Sequence, residues 1–142
     1  MAINPISKRK KLPIVGIVGH PDFIPQNEYA FRAWPSVSVE GESLAIKSIE
    51  RNQKKVATIS LEDDYFLAMA KGFELKLKEK GGEIVYSQNI SPEFSDFASL
   101  VSKIKASKPD SVLVNLAPAQ SGSLVKKLNE QGFTGQIYAN FL

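Results

Sequence analysis

The sequence KKVATISLEDDYFLAMAKGFELKLKEKGGEIVYSQNI, residues 54–90, decides the fold of this chain. Val56–Ser60 is a short run with β-branched residues, which predicts a buried strand. Gly81 predicts the left-handed end of the helix that follows, and Ile84–Tyr86 begins a second strand. Between them, apolar residues recur at three- and four-residue steps and so share one helical face: Phe66, Met69, Ala70, Phe73 and Leu77. The stretch is therefore one β-α-β unit.

The same unit recurs towards the end of the chain. Helices predicted around Phe97–Ile104 and Leu124–Leu128 alternate with strands at Val112–Leu116 and Gln136–Asn140. This alternation predicts an α/β fold with a doubly wound parallel sheet, covered by helices on both faces. In such sheets ligands bind outside the carboxyl ends of the strands. The predicted ends are Leu61–Tyr65, Asn89–Glu93, Asn115–Ala119 and the residues from Asn140 onward.

The first third of the chain has a weaker pattern. Met1–Lys11 is polar, and we expect it to lack regular structure. Pro13–Val18 predicts a strand, and Tyr29–Trp34 predicts an extended segment, because Pro35 disfavours helical geometry in the residue before it. A helix is expected from about Ser38, as its N-cap, to Arg51.

Composition limits the classes of function. The chain has 142 residues, no cysteine, a single histidine and a net charge of +3. Disulfides, thiol catalysis and any site built from two histidines are therefore excluded. The one basic cluster, Lys8–Lys11, is expected to be a solvated segment and not a nucleic-acid contact, which would need a larger basic face. No stretch approaches the ~20 apolar residues of a membrane span.

Two polar groups at the predicted strand ends have both a structural and a functional interpretation. Glu62–Asp64 can hold a cation, but capping of the following helix is favoured because a metal site needs more converging oxygens. Gln120–Ser123 can hold an anion at a helix N-terminus, but capping is again favoured. No Ser-His-acid set or carboxylate pair stands out, so we predict no enzyme, no cofactor and no metal.

For two further features, the residues alone do not decide between a ligand contact and a structural role. Tyr65 can line a ligand pocket or pack against neighbouring turns. Gly19 and His20 can contact a ligand or form an ordinary surface loop.

Several segments, none specific alone, form an ordered set. They are Phe31–Ser36 (FRAWPS), Lys54–Tyr65, Gly81–Val85 (GGEIV), Asp96–Ile104 (DFASLVSKI), Lys108–Val112 (KPDSV) and Gly132–Phe133. In this order they resemble the type I periplasmic solute-binding proteins, specifically the branched-chain amino acid group of ABC importers.

The resemblance implies two Rossmann-like α/β lobes joined by hinge crossings, with the ligand held between them. Residues 1–34 would be the end of the first lobe and one crossing, and residues 35–142 most of the second lobe, so we expect a truncated form. The implied function is an extracytoplasmic solute-binding module of an ABC-type transporter for amino acids, of the branched-chain class (leucine-binding) or similar small ligands. It would serve an ABC permease and be periplasmic or extracellular and membrane-associated. The alternatives are a ligand-sensing domain of a receptor or regulator with this fold, and a small doubly wound enzyme.

The resemblance also implies which residues contact the ligand. Tyr65 matches the family's aromatic contact, although Phe66 follows it where the family usually has glycine. The ligand-binding residues expected are Tyr65, Asp64, Ala117, Pro118, Ala119, Gly19 and His20.

A single lobe is expected to bind ligand weakly, because the contacts from the other lobe are lacking. We also expect a homodimer, formed through an exposed sheet edge or by exchange of residues 13–34 between two copies.

Overall fold

The computed structural model describes residues 3–19, 23–25 and 27–140. Its elements follow one another in the predicted alternation from residue 55 onward. In chain order they are α1 (Ile3–Lys10), β1 (Ile14–Gly16), β2 (Ala30–Arg32), α2 (Val37–Glu50), β3 (Lys55–Leu61), α3 (Asp64–Glu79), β4 (Glu83–Ile90), α4 (Phe97–Ala106), β5 (Ser111–Asn115), α5 (Pro118–Glu130) and β6 (Gln136–Ala139).

The main sheet has four parallel strands in the order β4-β3-β5-β6. Strand β3 lies inside the sheet, since it pairs with β4 on one side and with β5 on the other. Both central strands are buried almost throughout, and their polar residues inside the sheet are small, such as Thr58 and Ser60. The predicted α/β class and parallel sheet are confirmed.

Helices cover both faces of this sheet. On one face, Ala57 and Ile59 of β3 pack in a cluster with apolar residues of α4 and α5. On the other face, Val56 of β3 packs with Phe73 of α3 and Ala45 of α2. Adjacent strand residues point to opposite faces, and each large apolar side chain buried this way contributes about 1.5–3 kcal/mol.

The two predicted ends of α3, the acidic cap and the Gly81 stop, agree with the backbone geometry. Asp63 caps α3 by accepting a hydrogen bond from the Tyr65 N–H at 2.9 Å, and Asp96 caps α4 through the Ser99 N–H at 3.1 Å. Gly81 has φ +81°, in the left-handed region predicted for it, and Gly132 after α5 has φ +70°.

The prediction that residues 1–11 lack regular structure was wrong for the part that the structure describes. Helix α1 is held by two side chains that bond to backbone carbonyls outside it. The Ser7 hydroxyl donates to the Leu12 carbonyl at 2.6 Å, and the Asn4 amide donates to the Phe23 carbonyl at 2.6 Å. The basic residues that suggested a solvated segment lie in the last turn of α1, where positive charge stabilises a helix.

The predicted start of α2 was also wrong, by two positions. The N-cap is Ser36, and Ser38 lies inside the helix. The helix begins early because the Gly19 carbonyl accepts the Val37 N–H at 2.9 Å, which satisfies one of the donors that a helix start leaves free. Gly19 therefore lies directly against the N-terminus of α2.

Strands β1 and β2 form a separate two-stranded parallel sheet. Ile14 pairs with Ala30 and Val15 pairs with Phe31. The predicted strand at residues 13–18 is thus confirmed in a shorter form, and the extended segment before Pro35 contains β2.

Candidate functional site

The carboxyl ends of β3 and β5 lie side by side and are joined by a buried amide. Asn115, the last residue of β5, donates from Nδ2 to the Phe66 carbonyl at 2.7 Å and to the Ser60 hydroxyl at 3.1 Å. Its Oδ1 is buried and accepts no hydrogen bond within the part of the chain that the structure describes. The two turns in which the sequence predicts ligand contacts therefore belong to one connected edge of the sheet.

Tyr65 lies at this edge, in the first turn of α3. Its ring is half-buried, and its hydroxyl donates to Oε2 of Glu40 at 3.5 Å. Burial raises the pKa of the Tyr65 phenol above its ordinary value, and the negative charge of Glu40 raises it further. The phenol is protonated at neutral pH in any case, and both effects extend the pH range over which it can donate a hydrogen bond.

Gly19 is brought into contact with Tyr65, although 46 positions separate them in the printed sequence. A Cβ built on Gly19 would lie 3.0 Å from Cε2 of the Tyr65 ring. The structure thus brings together two of the predicted site residues that are distant in the sequence. His20, the neighbour of Gly19, lies outside the described residues.

Phe66, the departure from the resembled pattern, has a structural role here. Its ring packs edge-on against the Tyr65 ring, with centroids 5.4 Å apart, and against the core beneath α4 and α5. A side chain in place of glycine therefore fixes the orientation of Tyr65 and fills the core below it.

Ala117, Pro118 and Ala119 form the turn from β5 into α5. Ala117 is the N-cap residue and makes no side-chain cap, and Pro118 occupies the first helical turn. Their small side chains leave the N-terminus of α5 open on the surface. Asp64, by contrast, is an exposed first residue of α3, next to the cap residue Asp63.

The polar residues that open α5 are used internally. The Gln120 amide donates to the Ser91 and Pro92 carbonyls at 3.1 and 3.0 Å. The Ser121 hydroxyl donates to the Leu116 carbonyl at 3.0 Å. The Gln120 bonds tie α5 to the turn after β4, and the Ser121 bond ties its first turn to the residue after β5. The N-cap residue is Ala117, so the expectation that residues 120–123 cap the helix was wrong.

Sequence reasoning missed two residues of this edge, Trp34 and Glu40. The Trp34 indole Nε1 donates to Oε1 of Glu40 at 3.1 Å, so the carboxylate lies between an indole and a phenol. Glu40 lies in the first turn of α2, where an acidic residue is ordinarily read as a complement to the helix dipole. The one signal in the sequence for this cluster is its single tryptophan, which stands directly before a proline.

Two kinds of feature are absent from residues 3–19, 23–25 and 27–140. Within these ranges no three Asp, Glu or His side chains are grouped so as to hold a metal ion. Within the same ranges none of the helices has the length and apolar character needed to cross a membrane.

Comparison with known proteins finds a family match and curated relatives. The family model described as "Periplasmic binding protein" matches residues 1–142. An amino acid binding protein of Pseudomonas aeruginosa is 31% identical over 87 residues, which are 61% of this chain and 23% of that protein.

Solved structures with similar folds are also known. A structure described as a branched-chain amino acid ABC transporter from Rhodospirillum rubrum has a TM-score of 0.88 at 24% identity, over 98% of this chain and 40% of that chain. A leucine binding protein from Thermotoga maritima has a TM-score of 0.80 at 23% identity, over 97% and 40%.

A third similar structure was solved with an aromatic acid bound. It is a solute binding protein of an ABC transporter from Rhodopseudomonas palustris in complex with 3,4-dihydroxybenzoic acid, with a TM-score of 0.75 at 22% identity over 97% and 39%. The chain thus spans two fifths or less of the length of each of these relatives.

Proposed function

Because the chain belongs to the periplasmic binding protein family, we propose that it is a ligand-binding portion of the solute-binding component of an ABC importer. The proposed ligand is an amino acid, of the branched-chain class or of similar size. The relatives named above support this choice, since they include an amino acid binding protein and a leucine binding protein. In the proposed setting the component is extracytoplasmic and delivers its ligand to an ABC permease.

The observation that carries the proposal is the contact between Gly19 and Tyr65 at the carboxyl edge of the sheet. Ligands of open α/β sheets bind outside this edge, and the site that we propose includes a half-buried aromatic ring with a protonated hydroxyl. We assign the ligand contacts to Tyr65 and Gly19 with their neighbours Asp64 and His20, and to the small residues Ala117, Pro118 and Ala119.

We propose that binding works by closure of two lobes on the ligand, which shifts an equilibrium between open and closed forms. In this division residues 1–34 belong to the first lobe and the crossing, and residues 35–142 to the second lobe. A chain with one lobe then supplies only part of the contacts, and we expect its affinity to be weak. We propose binding alone for this site, and no reaction.

Titration calorimetry of this chain with leucine, isoleucine and valine tests the proposed ligand class. We expect weak, saturable binding that Tyr65→Ala abolishes, because this variant removes both the ring and the hydroxyl. Tyr86→Ala is the matched control, since Tyr86 is a half-buried tyrosine in the first half of β4, away from the carboxyl end of that strand. Equal binding by wild type and Tyr65→Ala would refute the assigned site, and micromolar affinity would refute the need for a second lobe.

Aromatic acids are the second candidate ligand class. The Rhodopseudomonas palustris structure with 3,4-dihydroxybenzoic acid has the same fold, and this acid can be added to the same titration series. Binding of 3,4-dihydroxybenzoate in preference to the three amino acids would favour this second class.

A further inference from the structure

We propose that Asn115 is a positioning residue of the ligand site. Its side-chain amide holds the first turn of α3, and Tyr65 with it, against the end of β5. This inference rests on the proposed function, and it adds a buried residue that acts on the ligand only through others. It fixes the two groups of proposed contacts relative to each other, namely Tyr65 with Asp64 on α3 and Ala117–Ala119 after β5.

The first argument is where Asn115 lies in the sheet. Side chains alternate between the two faces of a strand, and Leu113, two positions earlier in β5, packs in the cluster with residues of α2 and α3. Ser60 of β3 is the register partner of Asn115, and both residues are buried. This polar pair therefore lies at the carboxyl end of the strands, on the face that α3 covers.

The second argument is the orientation of the amide. The Phe66 carbonyl can only accept a hydrogen bond, so the amide nitrogen of Asn115 must face it, at 2.7 Å. The same nitrogen donates to the Ser60 hydroxyl at 3.1 Å. Phe66 follows Tyr65 directly, and the two rings pack edge-on with centroids 5.4 Å apart. A displacement of the Phe66 backbone therefore displaces Tyr65.

The third argument is that stability alone does not explain an amide at this position. Oδ1 of Asn115 is buried and accepts no hydrogen bond among the described residues, and a buried polar atom without a partner costs free energy. Valine and leucine occupy the three preceding positions of β5, and an apolar residue at position 115 would avoid this cost. The amide supplies what an apolar side chain cannot, which is the donor to the Phe66 carbonyl.

Asn115→Asp tests this donor, because a carboxylate keeps the shape of the amide but cannot donate to the Phe66 carbonyl. The first measurement, made without ligand at mildly alkaline pH, is the NMR spectrum of ring-labelled tyrosine. We expect the Tyr65 signals to shift and those of Tyr86, in the first half of β4, to stay in place. The second measurement is calorimetric titration with L-leucine, whose affinity should fall about fivefold, as expected for the loss of one hydrogen bond.

Low pH should rescue the same variant. Burial raises the pKa of a carboxyl group, and the protonated form regains an O–H that can donate to the Phe66 carbonyl. The shift of the Tyr65 signals, measured against the wild type at each pH, should therefore be present above the pKa of the new carboxyl group. It should disappear below that pKa.

Two further variants control for folding. Ser60→Ala removes the other partner of the same amide and leaves the bond to Phe66 in place, so it should lower stability to urea but keep the Tyr65 signals and the leucine affinity. Asn115→Thr is uncharged, and its hydroxyl is one bond closer to the backbone and so too far from the Phe66 carbonyl. It should shift the Tyr65 signals at every pH, which keeps the test valid if Asn115→Asp does not fold.

Different outcomes separate this inference from the proposed function. Tyr65 signals that stay in place in Asn115→Asp at alkaline pH, or that move as far in Ser60→Ala, overturn the inference. Shifted signals with unchanged leucine affinity overturn the role of Asn115 in the site. A wild-type chain that does not bind leucine contradicts the proposed function, and the spectra without ligand then decide whether Asn115 positions Tyr65.

Discussion

At the scale of single residues, the site depends on partners that are far apart in sequence. Tyr65 follows a strand, and its position alone predicts a side chain at the mouth of a cleft. Its chemistry is determined by Glu40, 25 positions earlier, and by the backbone of Gly19. A sequence pattern identifies the residue at the strand end, but it cannot show which charge lies opposite the hydroxyl.

The pKa of Tyr65 tests this arrangement. Burial and the charge of Glu40 raise it above the ordinary value of 10.0, so the folded chain holds the phenolic proton more tightly than the unfolded chain. The resulting contribution to stability is present below the ordinary pKa and is lost as the pH rises through the raised value. We expect an NMR titration of ring-labelled tyrosine to show Tyr65 ionising above its ordinary range.

In the same titration, Glu40→Gln should lower the pKa of Tyr65 only in part, because burial is the larger cause. Tyr86 is the internal control, since burial alone raises its pKa and Glu40→Gln should leave it unchanged. An unchanged pKa of Tyr65 in Glu40→Gln would mean that the carboxylate does not face the phenol in solution.

At the scale of elements, α2 and α3 pack with their backbones in close contact. A Cβ on Gly41 would lie 2.2 Å from the Met69 carbonyl oxygen, and a Cβ on Gly72 would lie 2.4 Å from the Ser38 carbonyl oxygen. Neither helix has room for a methyl group at its crossing point. This pair positions the site, because α2 carries Glu40 and α3 carries Tyr65.

We predict that Gly41→Ala destabilises the chain, because the helices must separate to accept the new methyl group. Overpacking of this kind costs about 1–3 kcal/mol, to be measured by urea denaturation. Gly122→Ala in α5 is the matched control, since a Cβ on Gly122 would meet no atom of the described residues within 4 Å. There, alanine should stabilise the helix by about 0.5–1 kcal/mol. Equal stability of wild type and Gly41→Ala would refute the tight crossing.

Elements with a strong period were predictable from the sequence, and elements held by single contacts were not. Helix α3 and the central strands follow from apolar spacing, because burial of their side chains dominates their stability. Helix α1 was missed because its order depends on hydrogen bonds from Asn4 and Ser7 to distant carbonyls. The start of α2 was misplaced because the partner that determines it is the Gly19 carbonyl. The carboxylate of Glu40 was missed for the same reason.

At the scale of the whole molecule, the two sheets differ in how well they are covered. The main sheet carries helices on both faces, so its apolar residues are buried. The two-stranded sheet instead exposes apolar side chains of both strands. Val15 is 73% exposed and its register partner Phe31 is 54% exposed, and Ile17 just beyond β1 is 80% exposed. Exposed apolar surface of this kind favours association, and so do strand edges that pair with no further strand among the described residues.

We therefore predict that this chain associates with itself through the sheet of β1 and β2, with an extent that increases with concentration. The double variant Val15→Thr/Phe31→Thr should shift light scattering towards the monomer, because threonine makes the exposed face polar and, as a β-branched residue, is well accepted in strands. Leu75→Thr is the control, since Leu75 is a single leucine on α3 that is 62% exposed. If the wild-type chain stays monomeric at high concentration, the predicted association is wrong. If Leu75→Thr disrupts the dimer as strongly as the double variant, the interface lies elsewhere than on this sheet.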